Sequence, residues 1–379
     1  MRRTLPGILL VLVLVAGAVY VFVGRGRHHG PAPVPTVAAA GLIGSEKQDF
    51  FADKDADQAF RSQGLAVSVR QAGSWNMGSM AGPGTDFAIP ASSVTAQAVI
   101  KADSARYQGE YTVFYSPLVM LSTVEVAKAL GRKGVAEQTS DGTWIIHMKM
   151  LLTAITSTDP ALNTWDAITT NPPAWLKGPV YVATTPTDTS SSASLFLATM
   201  SYLANGSKPV ASTQELCQVA PQMRQLIQAE GGSVGTNNQL TSDWASGIST
   251  KPLTWTYESE AAEQVLAGVK PPNGVVLYPD FYMPSDHTLV QLSPKGGQVK
   301  DALLHDRTLL DREAHYGFRP AGDPTAFAKA VEAKGASSIF PSNLPSVGLH
   351  PINPPETSIL QSLSAIAAGT AAPGTGGCS

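Results

Sequence analysis

Cysteine is nearly absent: Cys217 and Cys378 are the two present in 379 residues, too few for a disulfide scaffold. A bridge between them is conceivable. The tail that carries Cys378, AAGTAAPGTGGCS, has too few large apolar side chains to order itself, and a flexible end is expected. Histidine is also scarce, with seven in the chain. There is no G-x-S-x-G elbow, no H-E-x-x-H pair, no G-x-x-x-x-G-K phosphate loop and no paired-cysteine metal site. Asp286-His287, His305-Asp306 and the serines can be combined into a triad only on paper. The expectation is therefore a protein that is not an enzyme and needs no cofactor or metal. Strong charge of one sign is missing as well. Subtracting the four arginines near the N-terminus from 26 basic residues leaves 22 against 29 acidic ones, which argues against a nucleic-acid partner.

Long hydrophobic runs are limited to one. Leu5 to Gly24, LPGILLVLVLVAGAVYVFVG, carries no charge and is bracketed by Arg2-Arg3 and by Arg25 and Arg27. Its 20 residues would make a helix of roughly 30 Å, the thickness of a bilayer core. Ala16-Gly17-Ala18 is an acceptable cleavage motif, but the apolar run continues beyond it. An uncleaved signal anchor over 1–24 is expected, with the rest of the chain outside the cytoplasm. Pro31 to Ala40, PAPVPTVAAA, reads as a semi-rigid stalk closing a linker over 25–40.

The remaining chain suits two lobes rather than one simple core. Short β-branched or aromatic runs end in small polar loops and lead into amphipathic stretches, the alternation of α/β folds. Leu65–Val69 leads to QAGSWNMGS, Asp86–Ile89 to PASSVTAQAVI, and Tyr111–Tyr115 to SPLVMLSTVEVAKAL. Val180–Ala183 leads to TTPTDTSSSAS, and Val275–Tyr278 to PDFYMPSDH. In such folds ligands bind beyond the carboxyl ends of the strands, where helix N-termini converge.

The loop after Ala183 is unusual in holding Thr184, Thr185, Thr187, Thr189, Ser190, Ser191 and Ser192. One hydroxyl suffices to cap a helix. The surplus, together with first-turn amides and the positive end of the helix dipole, suits an anion or an oxygen-rich ligand. A cap plus a solvated loop is the plainer alternative.

In order along the chain, GSEKQDFF (44–51), VSVRQAGS (67–74), DFAIPASS (86–93), TTPTDTSSSAS, WTYESE (255–260), VVLYPDF (275–281), HTLVQL (287–292) and HYGFRP (315–320) resemble the type II extracellular solute-binding proteins, in particular an actinobacterial surface-anchored branch. The resemblance implies an α/β, two-lobed type II periplasmic-binding-protein-like fold with two hinge crossovers, preceded here by one N-terminal transmembrane helix. It places the outgoing crossover near Tyr115–Thr123 and the return near Trp255–Glu260. Lobe one would combine 41–117 with 259–345, lobe two would be 118–258, and 346–379 a C-terminal segment.

The candidate ligand residues follow from the loops. Ser45 and Glu46 come from the first, where the resemblance implies that hydroxyl and amide donors meet the ligand, although a carboxylate there disfavours an oxyanion unless Lys47 or a ligand cation offsets it. Ser74 and Asn76 come from AGSWNM, where Trp75 is either a wall of the site or core packing. Ser92 and Ser93 follow Pro90, one as a helix cap, and Ser116 stands at the crossover. Thr187, Ser190, Ser191 and Ser192 represent the hydroxyl run. Tyr257 and Glu258 lie at the return crossover, where the carboxylate either faces ligand or joins the lobes. The function these imply is closure of two lobes on a small polar solute, for a membrane permease or a sensor partner, with the chain attached to the membrane through its N-terminal helix. The other class open to it is a ligand-free interaction or sensory module of the cell envelope.

Overall fold

A computed structural model describes residues 36–231, 235–247, 249–269, 271–370 and 378. The anchor expected over 1–24 lies outside the described residues, among which no helix is long and apolar enough to cross a membrane. Val37 to Ala40, assigned above to the stalk, instead begin strand β1, Val37–Ile43. Their small side chains fit a covered strand, and the Asp86 carboxylate accepts the Ala40 amide at 2.9 Å.

Two mixed sheets organise the chain. The first contains β1, β2 (Leu65–Gln71), β3 (Phe87–Ile89), β4 (Gly109–Tyr115), β11 (Asp286–Gln291) and β12 (Arg319–Pro320), in the order β12-β4-β11-β3-β1-β2. Strands β1 and β3 are parallel, whereas β11 runs antiparallel between β3 and β4. The second contains β5 (Leu118–Thr123), β6 (Ala136–Gln138), β7 (Trp144–Ile146), β8 (Thr254–Tyr257) and β9 (Gly274–Pro279), in the order β6-β7-β9-β5-β8. A small parallel pair joins β10 (Phe281–Tyr282) to β13 (His350–Pro351).

The chain leaves the first sheet at Tyr115 and enters the second at Leu118, so Ser116-Pro117 is the outgoing link. The return comes later than the sequence suggests. Strand β9, expected in lobe one, pairs with β5 and β7 in the second sheet, and the chain re-enters the first sheet only at Asp286. Ala261, Leu266, Phe327, Val331, Phe340 and Leu344 also pack against the second sheet through Val119, Leu121 and Tyr278. The segment 259–345 is thus divided between the lobes. An apolar strand carries no local mark of which sheet it will join, since pairing partners are set by contacts distant in sequence.

Val180–Ala183 forms no regular strand. It runs beside β8 through a single bridge, Ala183 to Thr254, with prolines at 179 and 186 limiting the hydrogen-bonded length. The following helix, Ser191–Ala204, is buried at every position except Tyr202 and Ala204 and forms the centre of the larger core.

Cys217 and Cys378 are disulfide-bonded, which ties the chain end to the helix Thr213–Glu230. The bond spans a separation of 161 residues. The loop-entropy account gives about 5 kcal/mol for a loop of this length, and bridges typically deliver about 2–4 kcal/mol. Reduction, or paired replacement of both cysteines by serine, is expected to lower the melting temperature by several degrees. An unchanged melt would show that the bridge constrains little.

Candidate functional site

Loops from both lobes enclose a cavity of about 290 Å³. Lobe one supplies Gly44, Ser45, Glu46, Gln71, Ala72, Gly73 and Ser74; the facing wall is Thr185, Thr189, Ser190, Ser191, Gly235, Thr236, Asn237 and Tyr257. The lobes touch at its rim. The Ser191 hydroxyl donates to Ser92 Oγ at 3.0 Å, and a Cβ placed on Gly73 would lie 2.6 Å from the Thr189 carbonyl oxygen.

The hydroxyl run is a connected network. Thr185 Oγ1 donates to Ser190 Oγ at 2.7 Å and lies 3.0 Å from Ser192 Oγ, while Asn237 Nδ2 donates to Ser192 at 3.0 Å. No side chain among the described residues caps the first turn of Ser191–Ala204. The plain capping role considered for this run is therefore not the one it plays. The serines bond to each other, and the dipole end of a 14-residue helix faces the cavity.

Of the residues singled out in the sequence, Ser45, Glu46, Ser74, Ser190, Ser191 and Tyr257 line the cavity. The others do not. Ser92 caps the helix Ser93–Ala102, accepting from the Thr95 amide, and reaches the cleft only through Ser191. Ser93 and Asn76 are exposed outside the cavity. Ser116 is buried at the link and accepts the Ser259 amide at 2.9 Å. Thr187 turns away and donates to the Ser364 carbonyl at 3.0 Å, and Ser192 is locked into the network behind the wall. Trp75 packs in the core.

Glu258 is the clearest correction. It starts the helix Glu258–Leu266, which turns its fully buried carboxylate away from the cleft toward Arg319 in β12, at 2.7 and 2.8 Å, with the Tyr278 hydroxyl as a further donor. The pair joins second-lobe and first-lobe elements beside the link. It needs no ligand.

Sequence reasoning missed Gln71, Thr236 and Asn237. The first ends a strand without a hydroxyl. The other two open the helix Asn237–Ala245 after a glycine-rich stretch with no apolar strand before it, so the strand-to-polar-loop signal is absent. Only the Thr-Asn cap signature could have found them.

Glu46 supplies the one carboxyl side chain on the described cavity wall, and Lys47 bonds to it from beneath. Lys47 is fully buried; desolvation pushes its pKa down, opposed by Glu46 and Glu260. His287 Nδ1 lies 3.7 Å from Glu46, too far for a hydrogen bond, and neither ring nitrogen has a partner among the described residues. Burial holds this imidazole neutral, well below its ordinary pKa, between the rings of Phe114, Tyr257 and Phe318. His305 bonds the Asp301 carbonyl on the surface. Neither histidine reaches a cavity serine. Lys47 is thus placed against Glu46, the partner that an oxyanion beside this carboxyl group would require.

Glu230 supports the same wall from behind, accepting the Thr184 amide and hydroxyl at 2.8 Å each. Burial raises its pKa to about 7, opposed by those bonds and by Lys251. The folded chain therefore holds this proton more tightly than the unfolded one. The resulting stability is full below about pH 4.5 and is lost as pH rises through about 7, a change of about 3 kcal/mol. Denaturation between pH 5 and 8 should show this slope, and Glu230→Gln should flatten part of it. Glu263, raised to about 7 by burial and then by Asp49, adds to the slope, as do the buried Glu260 and Glu313, which burial pushes well above the ordinary carboxyl range. Identical slopes in both proteins would refute the assignment.

No protein-family model matches the sequence, and no curated protein matches it. Among solved structures, the sulfate-binding protein SubI from Mycobacterium tuberculosis superimposes with a TM-score of 0.51 at 15% identity, over 78% of this chain and 91% of that one. An ABC transporter protein from Clostridium perfringens gives a TM-score of 0.51 at 8% identity, over 88% and 98%. At these identities the likeness is one of fold.

Proposed function

We propose that this chain, which has the two-lobed fold of the type II solute-binding proteins, is a non-catalytic extracytoplasmic receptor for a small polar solute. The observation that carries the reading is the cavity between the lobes, walled by hydroxyls from both and fronted by an uncapped helix terminus. A ligand that hydrogen-bonds to Ser45 and Ser74 on one side and to Ser190, Ser191 and Asn237 on the other favours the closed arrangement over any open one. The population of closed protein is then the signal that a permease or a sensor partner reads. The N-terminal apolar run keeps the receptor at the membrane near that partner.

Each neutral hydrogen bond is worth about 0.5–1.5 kcal/mol, and one to a charged ligand about 1.5–3. Full-length protein extracted from membranes is expected to release one defined small molecule on denaturation, read by mass spectrometry. Ser45→Ala combined with Ser191→Ala, one hydroxyl from each wall, should reduce its retention by about tenfold or more with little change in melting temperature. Protein that fractionates as soluble and carries no compound would favour the interaction-module alternative.

A further inference from the structure

The helix Thr357–Ala368 follows the last strand, β13, and belongs by packing to lobe two, where it lies on the helices Thr213–Glu230 and Ser191–Ala204. Leu360 and Leu363 are fully buried there. Its first turn goes further: Thr357 Oγ1 donates to the Val94 carbonyl at 3.2 Å, in the lobe-one helix that Ser92 caps. Val94, Trp75 and Ala91 of lobe one share a single apolar cluster with Leu360 and with the second-lobe helices. Two residues before Val94, Ser92 accepts the cross-lobe bond from Ser191. At the other end, the Ser364 carbonyl receives Thr187 from the hydroxyl loop, and Cys378 is bonded to Cys217 on the helix beneath.

We propose that this C-terminal helix is a clasp: rooted on lobe two by packing and disulfide, and reaching lobe one at Val94, it biases the lobes toward closure before any solute arrives and so sets how fast the cleft exchanges its contents. The closure part stands on the contacts alone; the exchange part rests on the solute reading above. A hinge joined only by its chain crossovers opens at the cost of whatever bonds cross the cleft. Here opening must also part Thr357 from Val94 and expose the apolar side chains shared between them. The clasp and the cleft wall move together because Thr187 connects them directly.

The test uses the full chain without added ligand. Spin labels at Arg61→Cys and Lys208→Cys, one on each lobe surface, report lobe separation in a background with Cys217→Ser and Cys378→Ser, with and without Thr357→Val. Releasing the clasp is expected to lengthen and broaden the label distances and to speed amide exchange at Ser191–Ala193 by about tenfold or more. Unchanged distances in a variant whose helix 357–368 itself exchanges faster would overturn the proposal. Should the helix stay docked in these variants, exchange of the unmodified protein in low denaturant decides. Clasp and cleft amides opening in one step support it, and cleft amides opening first under a still-protected helix overturn it. Neither readout involves a solute, so loss of the clasp leaves the receptor reading intact, and an empty cleft leaves the clasp intact.

Discussion

Gly73→Leu is expected to leave the protein folded and its cleft unable to close. The backbone at Gly73, φ −60° and ψ 139°, is extended and accepts any residue, so the substitution brings no local strain. The obstruction lies across the cleft. A Cβ would meet the Thr189 carbonyl oxygen at 2.6 Å and its carbon at 3.3 Å, and both are backbone atoms that cannot rotate away. Gly73 leaves the first sheet after β2, whereas Thr189 belongs to the loop that follows the bridge to β8, so the clash acts between lobes. Even alanine must displace one wall by some tenths of an ångström, and leucine by more. The closed state is then penalised while the open state is untouched. If closure becomes a hundredfold less populated, apparent affinity falls by the same factor, equivalent to about 2.7 kcal/mol. Longer label distances across the cleft, loss of any co-purifying compound and an almost unchanged melting temperature are the expected set. Wild-type distances in Gly73→Leu would mean that the contact is not one that closure requires.

Several of these features were legible in the chain and others were not, for reasons that differ residue by residue. The hydroxyl run announced itself because a cluster of serines and threonines before an apolar helix exceeds any capping need. Its internal bonding was invisible, because which of Thr185, Thr187, Ser190 and Ser192 faces the cavity depends on how a helix buried on almost every side is rotated. Ser74 was found by a general rule, that loops after strands of an α/β sheet gather at one end, and Ser45 through the resemblance to solute-binding proteins. Glu258 obeyed the same rule and misled, since a carboxylate after a strand looks alike whether it meets a ligand or a buried guanidinium 61 residues later. Strand β9 was recognised as a strand and given to the wrong lobe, for pairing is non-local. The disulfide was conceivable from the sequence but not fixed by it, because no spacing rule links cysteines 161 residues apart.

Arg319→Met should destabilise the protein strongly, by about 3–5 kcal/mol, because it strands a buried carboxylate. The Glu258 side chain is fully buried and Arg319 is 9% exposed, and the bidentate pair is completed by Arg319 donating to the Pro341 and Ser342 carbonyls. The guanidinium also lies 4.3 Å from the centre of the Phe327 ring. Removing the cation leaves Glu258 with the Tyr278 hydroxyl as its remaining side-chain donor among the described residues, and two backbone carbonyls lose their donors. Since the pair ties the helix after β8 to strand β12 next to the Ser116–Ser259 contact, the loss also loosens the link between lobes. Glu258→Gln on the arginine background should cost less, because an amide oxygen still accepts from Arg319. The double variant Glu258→Gln/Arg319→Met removes the stranded charge, so it should recover part of the loss seen in Arg319→Met alone. Urea melts of the four proteins at pH 7 provide the cycle. A coupling energy near zero would show that Glu258 and Arg319 act independently, and the account of this contact as the structural replacement for an expected ligand carboxylate would fall with it.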